Sequence, residues 1–312
     1  MKILALGVKP SHLEAVKEVA PEVELVFCNT DAETEAQISE AEVIVSWGRL
    51  MSPELLAKAR RLAWIHVFSA GVDRLLSPAL LNSPVVLTNS RGAHAIPMAE
   101  HVMGMILAFE RGLPTLLQQQ KERRWNPLKL REIYGSTLGL VGYGGIGREV
   151  ARRARGFGMR IIAVKKHPAP EEGVEIWSLE RLDDLFAASD YIVACIPLTD
   201  ETHHLIGERQ FQAMKPSAYF FNLGRGPVVD EQALIAALRE KRLAGAGLDV
   251  FETEPLPADS PLWEIPNVII SPHTSASSPR QQQRVVAGFI ENLARYLAGQ
   301  PLLNVVDKAA GY

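Results

Sequence analysis

Leu138-Gly139-Leu140-Val141-Gly142-Tyr143-Gly144-Gly145-Ile146-Gly147 is the stretch on which the reading of this chain turns. It sets G-x-G-x-x-G at Gly142, Gly144 and Gly147, behind an apolar run and ahead of a helical pattern over 148–157. A glycine triplet alone is a weak signal, but between a strand and a helix it has a mechanism. Gly142 permits a tight turn, Gly144 lets backbone approach a pyrophosphate, and Gly147 lets helix and strand pack closely. The helix N-terminus then presents free N–H groups and a partial positive charge to the anion. A purely structural strand–helix turn is the competing reading.

Downstream, apolar runs alternate with helical stretches. Strands are expected at Thr137–Val141, Arg160–Val164, Tyr191–Ile196, Ala218–Asn222, Ala244–Val250 and Asn267–Ile270, six in all, as a doubly wound sheet requires. Upstream, the same alternation predicts strands at Lys2–Leu6, Val23–Phe27, Val43–Ser46, Ala63–Phe68 and Val85–Thr88. Strand–helix–strand order implies parallel sheets covered on both faces. At 312 residues the chain suits two cores better than one. The expected architecture is α/β with two doubly wound parallel-sheet domains: a flavodoxin-like substrate domain over 1–98 plus 279–312, and a Rossmann cofactor domain over 99–278. The segment Ala99–Phe109 is apolar on nearly every side and is expected to be a helix buried all round, between domains or subunits. The charged stretch Gln118–Tyr134 reads as an extended arm, and Pro279–Leu297 as a helix returning to the first domain.

The end of the second cofactor-domain strand bears on which dinucleotide is bound. An acidic residue about 20 positions past the turn holds the ribose diol in NAD sites. Here Lys165 and Lys166 stand at that place, followed by His167, and the nearest carboxylates are Glu171 and Glu172. Paired cations suit a 2′-phosphate, which favours NADP(H). If both lysines are merely solvated, NAD(H) is accepted as well.

Four later stretches each fall at the C-terminal end of an expected strand, where open α/β sheets bind ligands. They are 196–202 (IPLTDET), 222–226 (NLGRG), 247–255 (GLDVFETEP) and 271–274 (SPHT). Arg225 and Glu254 are 29 residues apart, and Glu254 and His273 are 19 apart. In order and spacing the chain closely resembles the D-isomer-specific 2-hydroxyacid dehydrogenase family. Ser69-Ala70-Gly71-Val72-Asp73 and Ala99-Glu100 extend the resemblance over essentially the whole chain.

The resemblance implies a catalytic set of Arg225, Glu254 and His273. Arg225 would grip the substrate carboxylate and polarise the keto oxygen, as a guanidinium fork can. His273 would exchange a proton with that oxygen, a task for which imidazoles as a class are suited. Glu254 would bond the other ring nitrogen and fix the tautomer; Glu252 is its nearest rival. The amides of Ala70 and Gly71 would bind the substrate carboxylate. The cofactor would lie against Gly142, Tyr143, Gly144, Gly145, Ile146 and Gly147, with Lys165, Lys166, Ile196, Pro197, Thr202, Leu223, Gly224 and His273. Asp249 would stand near the nicotinamide carboxamide. Without partners, His273 after Pro272 would read as a loop histidine, and Arg225 as a surface arginine.

Other classes receive less support. A net charge of −3 gives no basic field for nucleic acid. The longest apolar run, Val102–Phe109, is far below the ~20 residues of a membrane span, and the N-terminal run is too short for a signal core. Cys28 and Cys195 form no CxxC pair, and no histidine has metal-ligand spacing, so no metal is expected. His203 and His204 are expected to point to opposite sides. A cytoplasmic homodimer is expected, with domain closure about hinges at 92–97 and 275–279. Formate dehydrogenases place glutamine where Glu254 stands. Phosphite dehydrogenases keep the Arg–Glu–His set and remain an alternative. So does a dinucleotide-sensing binding protein, although no appended tail marks one. Only 39 residues follow His273, too few for the regulatory domain common in phosphoglycerate dehydrogenases. Trp47, Arg49 and the small residues 275–278 bear on substrate choice without deciding it.

Overall fold

The computed structural model describes residues 1–48 and 51–312, so Arg49 lies outside the described residues. The chain packs into two compact units, residues 1–94 with 277–312 and residues 95–276.

The first unit holds β1 (Lys2–Leu6), β2 (Glu24–Cys28), β3 (Val43–Ser46), β4 (Trp64–Val67) and β5 (Val86–Asn89). They pair in parallel in the order β2-β1-β3-β4-β5, the flavodoxin-like arrangement. Alternation along β1 divides the core: Leu4 and Leu6 pack on one face, Ile3 and Ala5 on the other. Every residue of β3 and β4 is buried, as expected for strands covered on both sides. Short helices begin where their caps dictate. Ser52 and Ser77 accept from the amides of Leu55 and Leu80, each ahead of a proline. The helix Pro279–Leu297, capped by Ser278, buries Val285, Phe289 and Leu293 at four-residue spacing. Trp64 meets that stripe, 5.5 Å from Phe289 and 5.4 Å from Tyr296 between ring centroids.

The second unit holds β6 (Thr137–Val141), β7 (Arg160–Val164), β8 (Glu175–Trp177), β9 (Tyr191–Ala194), β10 (Tyr219–Asn222), β11 (Gly245–Leu248) and β12 (Val268–Ile270). Its sheet is parallel throughout and ordered β12-β11-β10-β9-β6-β7-β8. It has seven strands rather than the expected six. The addition, β8, is a three-residue edge strand with no residue fully buried.

The helix Ala95–Glu110 packs on β11, where a Cβ at Gly247 would come within 2.6 Å of Met105 Sδ. Its Glu100 and Gly104 are exposed, so it is not buried all round within this unit. One further expectation changes, that of an extended arm starting at Gln118. Residues Leu113–Lys121 form a helix, and the segment without helix or strand starts only after it, over 124–133. That segment is anchored: Arg131 donates through Nε and Nη2 to the buried Glu110 carboxylate at 2.8 and 2.7 Å. Among the described residues no helix is long and apolar enough to cross a membrane.

Candidate active site

The G-x-G-x-x-G segment occupies the end of β6 and the start of the helix Gly145–Gly156. Gly142 has φ +99°, a conformation that penalises side chains, and Gly144 is the helix N-cap. A Cβ at Gly147 would lie 2.5 Å from the Gly142 carbonyl oxygen. At Gly144, by contrast, a Cβ would meet nothing within 4 Å. The turn is thus closed on its packed side and open at the glycine where a phosphate would approach the backbone, which is the fit a dinucleotide requires. Cys195 supports it from below, its Sγ donating to the Gly142 carbonyl at 3.1 Å. Burial pushes this thiol up to about 12, so it is a structural donor and not a nucleophile.

Tyr143 points its hydroxyl at Glu171 Oε1, 2.8 Å away, and Arg148 both pairs with Glu171 and stands over the Tyr143 ring at 5.0 Å. Burial, reinforced by the bond to Glu171, pushes the phenol up to about 12. Glu171 is therefore committed to a tyrosine and an arginine. Lys165 and Lys166 follow β7, and Lys166 Nζ pairs with Glu201 Oε2 at 2.5 Å. In the loop after β9, Thr202 Oγ1 donates to the Pro197 carbonyl at 2.7 Å and accepts from Thr199 N at 2.8 Å, so the 197–202 turn is stapled by its own side chain.

From the glycine turn a continuous row of contacts runs along the C-terminal strand ends. A Cβ at Gly142 would come within 2.6 Å of Ile196 Cγ2, and one at Gly224 within 2.7 Å of the Ile196 carbonyl oxygen. One at Gly226 would overlap the Phe251 carbonyl. Arg225 stands between those two glycines, just after β10 and the buried Leu223. Asn222 shapes the bend, accepting from Gly224 N at 3.1 Å and donating to the Arg225 carbonyl at 3.0 Å. The Arg225 Nη1 donates to the Gly224 carbonyl at 3.0 Å.

Beyond Phe251 the row reaches the acid–base candidates. Phe251 N donates to Glu254 Oε1 at 3.1 Å, and His273 Nδ1 bonds Glu254 Oε2 at 2.8 Å. With Glu254 accepting at Nδ1, the tautomer leaves Nε2 for proton exchange. Glu252, the rival of Glu254, bonds His204 Nε2 at 2.6 Å instead. The rings of His203 and His204 stack at 4.1 Å rather than diverging. The positive φ of His204, 49°, turns the chain so that both project together. Among the described residues no group of histidine, cysteine and carboxylate side chains could hold a metal.

Asp249 has a task that its position in the sequence did not reveal. Its Oδ1 accepts from Ser271 Oγ at 2.6 Å, Thr274 N at 2.9 Å and Ser275 N at 3.2 Å, and Oδ2 from Ser275 N at 3.0 Å. The His273 amide donates to the Asp249 carbonyl at 2.8 Å. Ser271 Oγ also takes a bond from His101 Nε2 at 3.0 Å. A buried carboxylate so satisfied clamps the turn that carries His273, whose own φ of 50° belongs to the left-handed region.

In the first unit, Ala70 and Gly71 follow β4. Their carbonyls are satisfied by Asn89 Nδ2 at 2.6 Å and Ser69 Oγ at 3.0 Å, while neither N–H finds an acceptor among the described residues. Trp47 follows β3, its ring 4.9 Å from Phe68 and 6.3 Å from His12.

Comparison with known proteins identifies the family. Residues 103–275 match the model of the D-isomer specific 2-hydroxyacid dehydrogenase NAD binding domain. The chain is 36% identical over 306 residues to D-3-phosphoglycerate dehydrogenase of Methanocaldococcus jannaschii, covering 96% of this chain but only 58% of that protein. It is 38% identical over 277 residues to glyoxylate/hydroxypyruvate reductase B of Escherichia fergusonii, covering 86% of this chain and 85% of the other. Among solved structures it resembles the NADPH-dependent glyoxylate/hydroxypyruvate reductase of Sinorhizobium meliloti, in complex with NADP and sulfate. That likeness has a TM-score of 0.88 and 30% identity, over 100% of this chain and 99% of that one.

Proposed function

The chain belongs to the D-isomer specific 2-hydroxyacid dehydrogenase family, oxidoreductases acting on CH–OH groups, and from that premise we propose that it moves hydride between NADP(H) and a small 2-keto or D-2-hydroxy acid. The observation that carries the reading is the row of contacts joining the glycine turn, through the Arg225 segment, to the Glu254–His273 pair. The nicotinamide, when bound, supplies or accepts the hydride.

Every other part of the chemistry is assigned to side chains and amides of the protein. His273 delivers a proton from Nε2 to the keto oxygen during reduction and takes it back during oxidation. Glu254, fixed by Phe251 N, holds the ring orientation and the tautomer. Arg225 takes the substrate carboxylate and draws charge from the keto oxygen. In the first unit, the amides of Ala70 and Gly71, which find no acceptor among the described residues, are assigned to binding a substrate carboxylate. Gly142 to Gly147 hold the pyrophosphate, with Tyr143 and Ile146 beside it. Ile196, Pro197, Thr202, Leu223 and Gly224 line the remainder of the cofactor. Asp249 keeps its assignment near the carboxamide through the turn that it clamps.

Two features support the preference for NADP(H). No carboxylate stands at the end of β7, and the nearest downstream, Glu171, is engaged by Tyr143 and Arg148. The Sinorhizobium meliloti relative was solved with NADP. The test is a panel of glyoxylate, hydroxypyruvate, pyruvate and phosphite run with the two nucleotides side by side. NADPH is expected to be the better substrate with a 2-keto acid, and Lys165→Asp to shift preference toward NADH. Absence of turnover with every keto acid would leave a nucleotide-binding protein or a phosphite dehydrogenase in its place.

We infer further that the chain works as a homodimer in the cytoplasm. It is motivated by apolar groups left in water on the second unit, above all Leu117, 59% exposed, and Trp125, 98% exposed. Light scattering at micromolar concentration is expected to give twice the chain mass, and Trp125→Asp to lower it. A wild-type monomer removes this part of the proposal.

A further inference from the structure

The Lys166–Glu201 ion pair has a place in the sheet that bears on nucleotide choice. Lys166 follows β7 and Glu201 lies in the loop after β9, and these two strands flank β6 on either side. β6 is the strand that ends in the glycine turn. The 2.5 Å contact between Nζ and Oε2 therefore ties together the loops on both sides of the dinucleotide turn. It joins residues 35 apart in sequence.

We propose that Glu201 is a specificity-determining residue that weakens binding of 2′-phosphorylated nucleotides by holding Lys166. The inference rests on the dinucleotide reading above and deepens it. A 2′-phosphate carries close to two negative charges at neutral pH, and Lys166 is a cation that can meet it. To do so it must give up the Glu201 carboxylate, which then stands beside a dianion without its partner. A nucleotide with a free 2′-hydroxyl brings no such charge and leaves the pair in place. The carboxylate missing from the end of β7 is thus supplied by the loop after β9, through space rather than through sequence. Both side chains are partly exposed, at 49% and 69%, so solvent screens the pair and its effect is moderate.

The test is direct binding, independent of turnover. Dissociation constants of adenosine 2′,5′-bisphosphate and 5′-AMP, and of NADPH and NADH, are measured for wild type, Glu201→Gln and Lys166→Gln. Glu201→Gln is expected to raise the preference for the 2′-phosphorylated member of each pair by at least about threefold, the scale of an exposed charge contact. Lys166→Gln is expected to lower it. A smaller rise, or a fall, in the Glu201→Gln preference overturns the proposal. Binding of none of the four ligands by wild type overturns it together with the dinucleotide reading. If the ligands bind but no 2-keto acid is turned over, the reaction assignment fails while the preference ratio still decides the role of Glu201.

Discussion

His273→Ala is expected to lower kcat by about 100- to 10,000-fold, the usual contribution of a positioned general acid–base group. The imidazole is fixed from three directions. Nδ1 is held by Glu254, the amide by the Asp249 carbonyl, and the following turn by the Asp249 carboxylate. Alanine removes the proton carrier and leaves the clamp, because no bond from Asp249 uses the ring. KM is therefore expected to change far less than kcat, as for a group whose contribution is made in the transition state. Steady-state rates with the best keto acid of the panel check this, and a variant with near wild-type kcat would remove His273 from the proton path.

The second large effect concerns stability in acid. His66, in the middle of β4, is buried, and burial lowers its pKa to about 3. Its partners suit the neutral ring. Trp64 Nε1 donates to Thr88 Oγ1 at 2.8 Å, leaving the Thr88 hydroxyl proton for His66 Nδ1 at 2.8 Å. Nε2–H faces Ser90 Oγ at 3.3 Å. The unfolded chain takes up this proton near pH 6.5, the folded chain only near pH 3. Between those values the unfolded state binds more protons, so this contribution is whole above pH 6.5 and is lost as pH falls toward 3. The loss through this one group is on the order of 4–5 kcal/mol, at up to about 1.4 kcal/mol per pH unit. Urea denaturation from pH 7 to 4 is expected to show a slope that is shallower in His66→Gln. Equal slopes in the two proteins would mean that His66 titrates normally in the folded state.

Strands were legible where burial on both faces gives an unbroken apolar run, as in β3, β6 and β9. β8 was not, because three partly exposed residues on a sheet edge leave no such run. The helix Leu113–Lys121 escaped for a related reason: Gln119 is its one buried residue, while Leu113, Leu116 and Leu117 face water. An apolar stripe turned outward does not announce a helix by the burial logic that finds the others.

For the site, the family resemblance paired Glu254 with His273, and spacing preferred Glu254 over Glu252. Spacing could not reach the clamp of Asp249 on Ser271, Thr274 and Ser275, nor the His101–Ser271 bond beside it, whose residues are 170 apart and meet only through the fold. Nor could it show that Glu171 is engaged by Tyr143 and Arg148, or that Lys166 has a carboxylate from another loop.

His273 follows β12, and β12 is the outermost ribbon of its sheet, three residues long and hydrogen-bonded on one side only. Such a border is where a sheet frays first, by local opening well short of global unfolding. The Asp249 carboxylate, rooted at the end of the interior strand β11, stitches the loop beyond β12 to the interior. The turn that carries His273 thereby shares the cooperativity of the central strands, and does not open with the rim.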